Sequence, residues 1–285
     1  MTRRRIAATV WVVASMAAHS AAQVPSFTSE VEAVRVDVLV TENGRLLPGL
    51  TTADFEVLDN GVPQRVDLAS YEEIPLNVVL ALDMSASLDA EQLANLRGAG
   101  KSVLDGLKEN DRAAFVSFSH EVVLGSGLTS DLNRVRAAID DVSTSGQTSL
   151  VDASFAGMMM GESDVGRSLL IVFTDGVDTR SWLSAEDVLD TARRSDVVIY
   201  GVEVGKRRFS FPRELSVATG GRLIEIESTR DLKSTFRGIL EEFRQRYLIS
   251  YSPDGVAAGG WHRLDVRVKN RNAVVRSRPG YLSGR

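Results

Sequence analysis

The chain has 285 residues, with 38 acidic against 33 basic side chains, three histidines and no cysteine. Lacking cysteine, it has no disulfides, no thiolate metal centre and no cysteine nucleophile, so an apolar core must hold it together. The acidic balance, without a Lys/Arg-rich patch, argues against nucleic acid as a partner.

Residues 1–22 read as an export signal. Arg3, Arg4 and Arg5 form a basic start, Ile6 to Ala18 an apolar stretch, and Ser20-Ala21-Ala22 a small-residue cleavage site before Gln23. The apolar stretch is too short to favour a membrane-spanning helix, and no later segment is long and apolar enough to be one. Removing the three signal arginines leaves 30 basic against 38 acidic residues, a formal charge of −8. The expected location is the periplasm or the cell exterior. About 260 mature residues suffice for one full α/β domain plus a smaller one.

Residues 23–75 read as a β-region. Val34, Val36, Val38 and Val40 alternate with Arg35, Asp37 and Leu39, the period of a half-buried strand. Asp59-Asn60-Gly61 is a turn signal expected to separate strands Phe55–Leu58 and Gln64–Leu68. From residue 76 to 247, short apolar runs alternate with helical patterns, which predicts an open α/β sheet with helices on both faces. The expected strands are Asn77–Leu82, Ala113–Phe118, Ser168–Phe173, Val197–Val204 and Arg222–Ile226, with Glu121–Leu124 returning as an antiparallel edge. Leu132, Val135, Ile139 and Val142 recur at helical spacing, as do Phe236, Leu240, Phe243 and Tyr247 in the last long helix. Asp131 and Ser184 stand where helix N-caps belong. Residues 248–285 return to β character: Leu264, Val266 and Val268 alternate with charged residues, after Tyr247–Tyr251 and before Ala273–Arg276. A lone hairpin at either end would be marginal, so the two flanks are expected to pair, with the α/β domain inserted between them.

The chemistry-bearing residues lie at the upper ends of these elements. Asp83-Met84-Ser85-Ala86-Ser87 follows the apolar run Asn77–Leu82 and offers one carboxylate and two hydroxyls at alternate positions. Thr148 precedes a helix, and Asp175 follows the apolar run Ser168–Phe173, whose strand should neighbour that of Asp83. All are hard oxygen donors suited to Mg²⁺, Mn²⁺ or Ca²⁺, and ligand sites in open α/β sheets gather at the carboxyl ends of the strands. The ordered set Asp83, Ser85, Ser87, Thr148 and Asp175 resembles the metal-ion-dependent adhesion site of von Willebrand factor A-type (VWA) domains. That resemblance implies a Rossmann-like sheet and a bound Mg²⁺. The serines and the threonine would be direct or near-direct ligands, the aspartates would often act through water, and a partner's carboxylate would complete the coordination. Val36–Thr41, Gly49–Val57, Asp59-Asn60-Gly61, Tyr247–Tyr251 and Gly280-Tyr281 resemble the flanks of the exported "VWFA-related" family described from acidobacteria. The implied function is metal-dependent protein binding, not catalysis.

Other readings compete. Asp83, Ser85 and Ser87 could cap the helix expected near Asp89, Thr148 could cap the helix at Leu150–Met160, and Asp175-Gly176 is a common turn dipeptide. Asp178 could add an outer carboxylate, but a surface turn explains it better. Gly98–Ser102 echoes a phosphate-binding loop but sits inside a helical pattern. Met158–Met160 reads as core filler, and Trp182, Trp261, Phe209 and Phe211 as structural in preference to partner contacts. A hydrolase would use His120 with Ser85 or Ser87, but no nucleophile motif surrounds either serine. A third reading is a scaffold whose metal site is satisfied internally.

Overall fold

The computed structural model describes residues 33–71, 74–163, 165–205 and 210–283; the expected export signal lies outside them. The N-terminal flank supplies β1 (Val34–Glu42), β2 (Arg45–Leu46), β3 (Phe55–Asp59), β4 (Val62–Gln64) and β5 (Leu68–Ser70). Next come β6 (Leu76–Asp83), α1 (Ala90–Asp105), β7 (Arg112–Phe118), β8 (Val122–Thr129), α2 (Leu132–Asp141) and α3 (Leu150–Gly161). They are followed by β9 (Arg167–Thr174), α4 (Ala185–Ala192), β10 (Val198–Val204), α5 (Ser210–Ala218), β11 (Leu223–Ile226) and α6 (Leu232–Arg244). The C-terminal flank adds β12 (Tyr247–Tyr251), β13 (Gly260–Val268), β14 (Val274–Arg276) and β15 (Gly280–Ser283).

The central sheet has the order β11-β10-β9-β6-β7-β8, parallel throughout except for β8, which runs antiparallel to β7. Both faces of β6 and β9 are covered, and every residue of these strands is buried, which explains their unbroken apolar runs. Val78, Leu80 and Leu82 face a core shared with α1, α2 and α6, whereas Val79 and Ala81 face α3, α4 and α5. Asp89, Asp131 and Ser184 accept backbone hydrogen bonds as N-caps of α1, α2 and α4. Residues Gly98–Ser102 lie inside α1, where Lys101 pairs with Asp140 at 2.7 Å. No phosphate-binding loop is formed there.

The flanks pair with each other. β1 lies antiparallel to β12, and β3 antiparallel to β13, in two sheets ordered β14-β1-β12-β5 and β15-β13-β3-β4. Their inner faces meet in a third core, built from the alternating valines of β1, Phe55, Val57, Tyr247, Ile249, Tyr251, Leu264, Val266 and Val268. The chain leaves this β-sandwich after β5, builds the α/β sheet and returns at β12.

Two sequence expectations need correcting. The hairpin at Asp59-Asn60-Gly61 closes on β4 (Val62–Gln64), not on Gln64–Leu68, because Asn60 and Gly61 both have positive φ (48° and 83°), the signature of a two-residue turn. Tyr247 belongs to a strand, not to the last helix. It pairs with Val38, and its hydroxyl donates to Leu47 O (2.8 Å) and accepts from Leu50 N (3.1 Å), so burial in the sandwich core overrides the helical spacing.

Candidate metal centre

The parallel register of β6 and β9 brings two chain ends together at the point where the strand order reverses. Asp83 closes β6 and is fully buried. Its Oδ1 accepts from Ser85 N (3.0 Å), the short-range turn bond typical of aspartate, which swings Ser85 over the sheet edge. Its Oδ2 accepts from Thr174 Oγ1 (2.7 Å) at the end of β9. The Ser85 and Ser87 hydroxyls lie 2.8 Å apart, and Ser87 donates to Asp175 Oδ1 at 2.8 Å. Asp83, Ser85, Ser87 and Asp175 are thus linked by direct contacts.

Thr148 joins them from the other side. A Cβ built on Gly176 would stand 3.0 Å from Thr148 Oγ1 and 3.9 Å from Asp83 Oδ2, so both oxygens face the same small space above that glycine. Ser85, Ser87, Thr148 and Asp175 line a cleft of about 510 Å³, with Asp83 beneath it. Among the described residues no three His, Cys, Asp or Glu side chains are grouped to hold a metal, so a cation here must be held largely by hydroxyl oxygens. Two carboxylates and three hydroxyls fit a hard divalent ion that retains water.

The capping explanations for these residues fail. Asp89 caps α1 itself, in a reciprocal box with Gln92. The N-terminus of α3 is capped from a distance: Asp178 Oδ1 accepts from Leu150 N (2.7 Å) and Val151 N (3.3 Å), and Ser181 Oγ accepts from Val151 N and Asp152 N (3.1 Å each). Asp178 is therefore a helix cap supplied by a loop, which accounts for its carboxylate without a metal. Sequence reasoning passed over Thr174, although it stands directly before Asp175, because its hydroxyl acts across strands.

His120 sits at the rim, packed on Gly146, where a Cβ would come within 2.1 Å of its Nδ1. Its hydroxyl contact is the adjacent Ser119 (3.3 Å), whereas the Ser85 hydroxyl bonds to that of Ser87, and Ser87 to Asp175. A nucleophile needs a base within hydrogen-bond reach, and among the described residues neither serine has one in His120.

Burial pushes the Asp83 carboxyl up to about 6, against the opposing hydrogen bonds from Thr174 and Ser85. Two strands along the same sheet row, Glu203 is pushed up to about 7 by burial and then by the charge of Glu225. A raised carboxyl favours the folded state below its unfolded value near 3.8 and loses that contribution as pH climbs through about 6. A cation acts oppositely, since it selects the ionised form and competes with the proton. The expected result is that Mn²⁺ affinity, measured by calorimetry, weakens as pH falls below about 6 and does so equally in Glu203→Gln. An affinity flat from pH 7 to pH 5 would contradict a role for Asp83 in holding the ion.

The fold is a Rossmann-like α/β domain with a cluster of oxygen donors at the switch point of its sheet. The family model for the von Willebrand factor type A domain matches residues 77–237, and the chain belongs to that family. Domains of this family commonly mediate metal-dependent protein interaction. The chain is 26% identical over 232 residues to the uncharacterized protein sll0103 of Synechocystis, covering 73% of this chain and 54% of that protein. It is 23% identical over 186 residues to inter-alpha-trypsin inhibitor heavy chain H3 of Rattus norvegicus, covering 59% of this chain but 21% of the heavy chain. It therefore spans only part of the length of these relatives. Among solved structures, a von Willebrand factor type A protein from Catenulispora acidiphila superposes with a TM-score of 0.54 at 13% identity, covering 89% of this chain and 74% of that one. Proximal thread matrix protein 1 from the mussel byssus, solved with a zinc-occupied MIDAS motif, gives 0.53 at 19% identity, covering 64% of this chain and 48% of that one. At these identities the structural likeness speaks for the fold.

Proposed function

We propose that this protein captures a protein partner through a divalent cation, Mg²⁺ in the first instance, held by Asp83, Ser85, Ser87, Thr148 and Asp175. The observation that carries this reading is the convergence of those oxygens on one cleft at the switch point of the sheet. With hydroxyls as most of its ligands, the ion would keep much of its charge and supply a strong attraction for a carboxylate of the partner. The chain's own residues set the geometry. Thr174 and Ser85 N orient Asp83, Ser87 fixes Asp175, and Gly176 keeps the floor of the cleft free of a side chain. The basic start and apolar stretch of residues 1–22 support export, and the acidic mature composition is consistent with a partner other than nucleic acid. Among the described residues no helix is long and apolar enough to cross a membrane.

The test is thermal unfolding with and without cation. An ion at a hundred times its dissociation constant adds about 2.7 kcal/mol, or roughly 5–10 °C for a chain of this size. Mg²⁺ or Mn²⁺ should raise the melting temperature of the wild type by that amount and leave Asp83→Ala within about 1 °C of its metal-free value. A wild type indifferent to millimolar Mg²⁺, Mn²⁺ and Ca²⁺ would refute the metal reading.

A further inference from the structure

The loop leaving Asp175 carries a feature that the ion does not account for. Trp182 is 95% exposed, the highest exposure among the described large apolar side chains, which overturns its reading as a structural residue. Such a side chain on a slack loop would fold back onto the surface, but this loop is not slack. Thr179 N and Arg180 N donate to Thr148 O (2.9 and 3.1 Å), Asp178 and Ser181 cap α3, and Trp182 N and Leu183 N donate to the Asp152 carboxylate at 2.9–3.1 Å. The indole is therefore held out into solvent from a fixed backbone, beside the N-terminus of the helix that Thr148 precedes.

Its neighbours on the loop are equally unspent. Val177 and Leu183 are each 39% exposed. Arg180 is exposed and forms no ion pair among the described residues. Between the proposed cation ligand Asp175 and the start of α4 the chain thus presents apolar surface, an exposed guanidinium and an exposed tryptophan on an anchored backbone. Aromatic and arginine side chains are the groups that dominate protein interfaces, and an anchored loop backbone spares the ordering cost of the main chain when they are covered.

The geometry points to a polypeptide partner in which one carboxylate reaches the cation, an aromatic or aliphatic side chain nearby covers Trp182, and a second carboxylate meets Arg180. This rests on the metal reading above and deepens it, by giving the partner a sequence character. A neutral glycan could stack on the indole but would leave both positive groups uncompensated. An acidic segment with an adjacent apolar residue satisfies all three.

The experiment uses a phage-displayed random peptide library selected on the full chain in millimolar MnCl₂, with the selected peptides then synthesised and titrated by fluorescence anisotropy. They should carry acidic and aromatic or aliphatic residues together. Trp182→Ala should weaken them about tenfold or more, Trp182→Phe less, and Arg180→Gln should weaken them and flatten the salt dependence. Binding should vanish in EDTA or with Asp83→Ala. Peptides that need the metal yet bind Trp182→Ala within about twofold of wild type would overturn this inference and leave the metal reading standing. Peptides that survive both EDTA and Asp83→Ala would overturn the two together. If Mn²⁺ instead makes the wild type self-associate and Trp182→Ala abolishes it, the occupant is a second copy and the inference fails as stated.

Discussion

Asp59→Ala is expected to destabilise the β-sandwich by about 3–5 kcal/mol, the summed cost of buried hydroxyl and imidazole groups losing a shared acceptor. Asp59 lies wholly inside the protein at the end of β3. Its Oδ1 lies 2.8 Å from His262 Nδ1, and its Oδ2 accepts from the hydroxyls of both Tyr251 and Tyr281, each at 2.8 Å. The His262 ring stacks on Tyr281 with centroids 4.7 Å apart. Burial, reinforced by the shared carboxylate, raises Tyr251 far above the usual phenol range and pushes Tyr281 up to about 12, so both stay donors. One carboxylate thus satisfies groups from β12, β13 and β15; alanine would leave Tyr251 without its acceptor and Tyr281 and His262 with only their mutual 3.2 Å contact in an apolar core. Urea unfolding measures the loss, with hydrogen exchange expected to rise first in β3 and β13. Tyr281→Phe, which removes a single donor, should cost only about 1 kcal/mol. An Asp59→Ala protein within about 1 kcal/mol of wild type would show that packing alone holds the sandwich.

The second large effect is expected at the tie between sandwich and α/β sheet. Arg167 opens β9 and donates through Nε to Asp37 Oδ1 of β1 at 2.7 Å, with an Nη2 contact to the same oxygen and another to Phe243 O at 3.2 Å. Its guanidinium lies 4.7 Å from the Phe243 ring centroid. Both members are buried, with side chains 2% and 8% exposed. Asp37→Ala leaves that guanidinium uncompensated and should cost about 3–5 kcal/mol, whereas the double replacement Arg167→Met with Asp37→Leu should be close to neutral. The first variant strands a charge and the second does not, and Asp37→Leu alone, which matches the double replacement in volume at position 37, separates the charge from the packing when all three are compared by chemical denaturation. Equal loss in Asp37→Leu and in the double replacement would mean that the contact acts through shape and not charge.

The alternating valines of β1 and the unbroken apolar runs of β6 and β9 were legible because strand period and burial are local consequences of side-chain placement. Asp89, Asp131 and Ser184 could be placed as caps for the same reason, since a cap bonds within its own turn. The candidate ligands Asp83, Ser85, Ser87, Thr148 and Asp175 were visible as oxygen donors at element ends whose spacing resembles the VWA site, and the α/β pattern led to the expectation that the strands of Asp83 and Asp175 are neighbours. Other features were out of reach. Asp178 looked like a turn residue until the fold laid its loop along α3, and Trp182 looked structural until that loop held it in solvent.

His262 and Asp59 gave no local sign of their bond, being 203 positions apart along the chain. Tyr247 fitted a helical spacing and a strand equally well, and its burial against β1 decided between them. By itself the sequence determined which segments become strands and helices and which side chains offer oxygen at their ends, because those depend on neighbours within a turn or two. Only the tertiary structure decided which distant groups share a buried charge and which side chain is left in water, because desolvation is a property of the assembled core and not of any one segment.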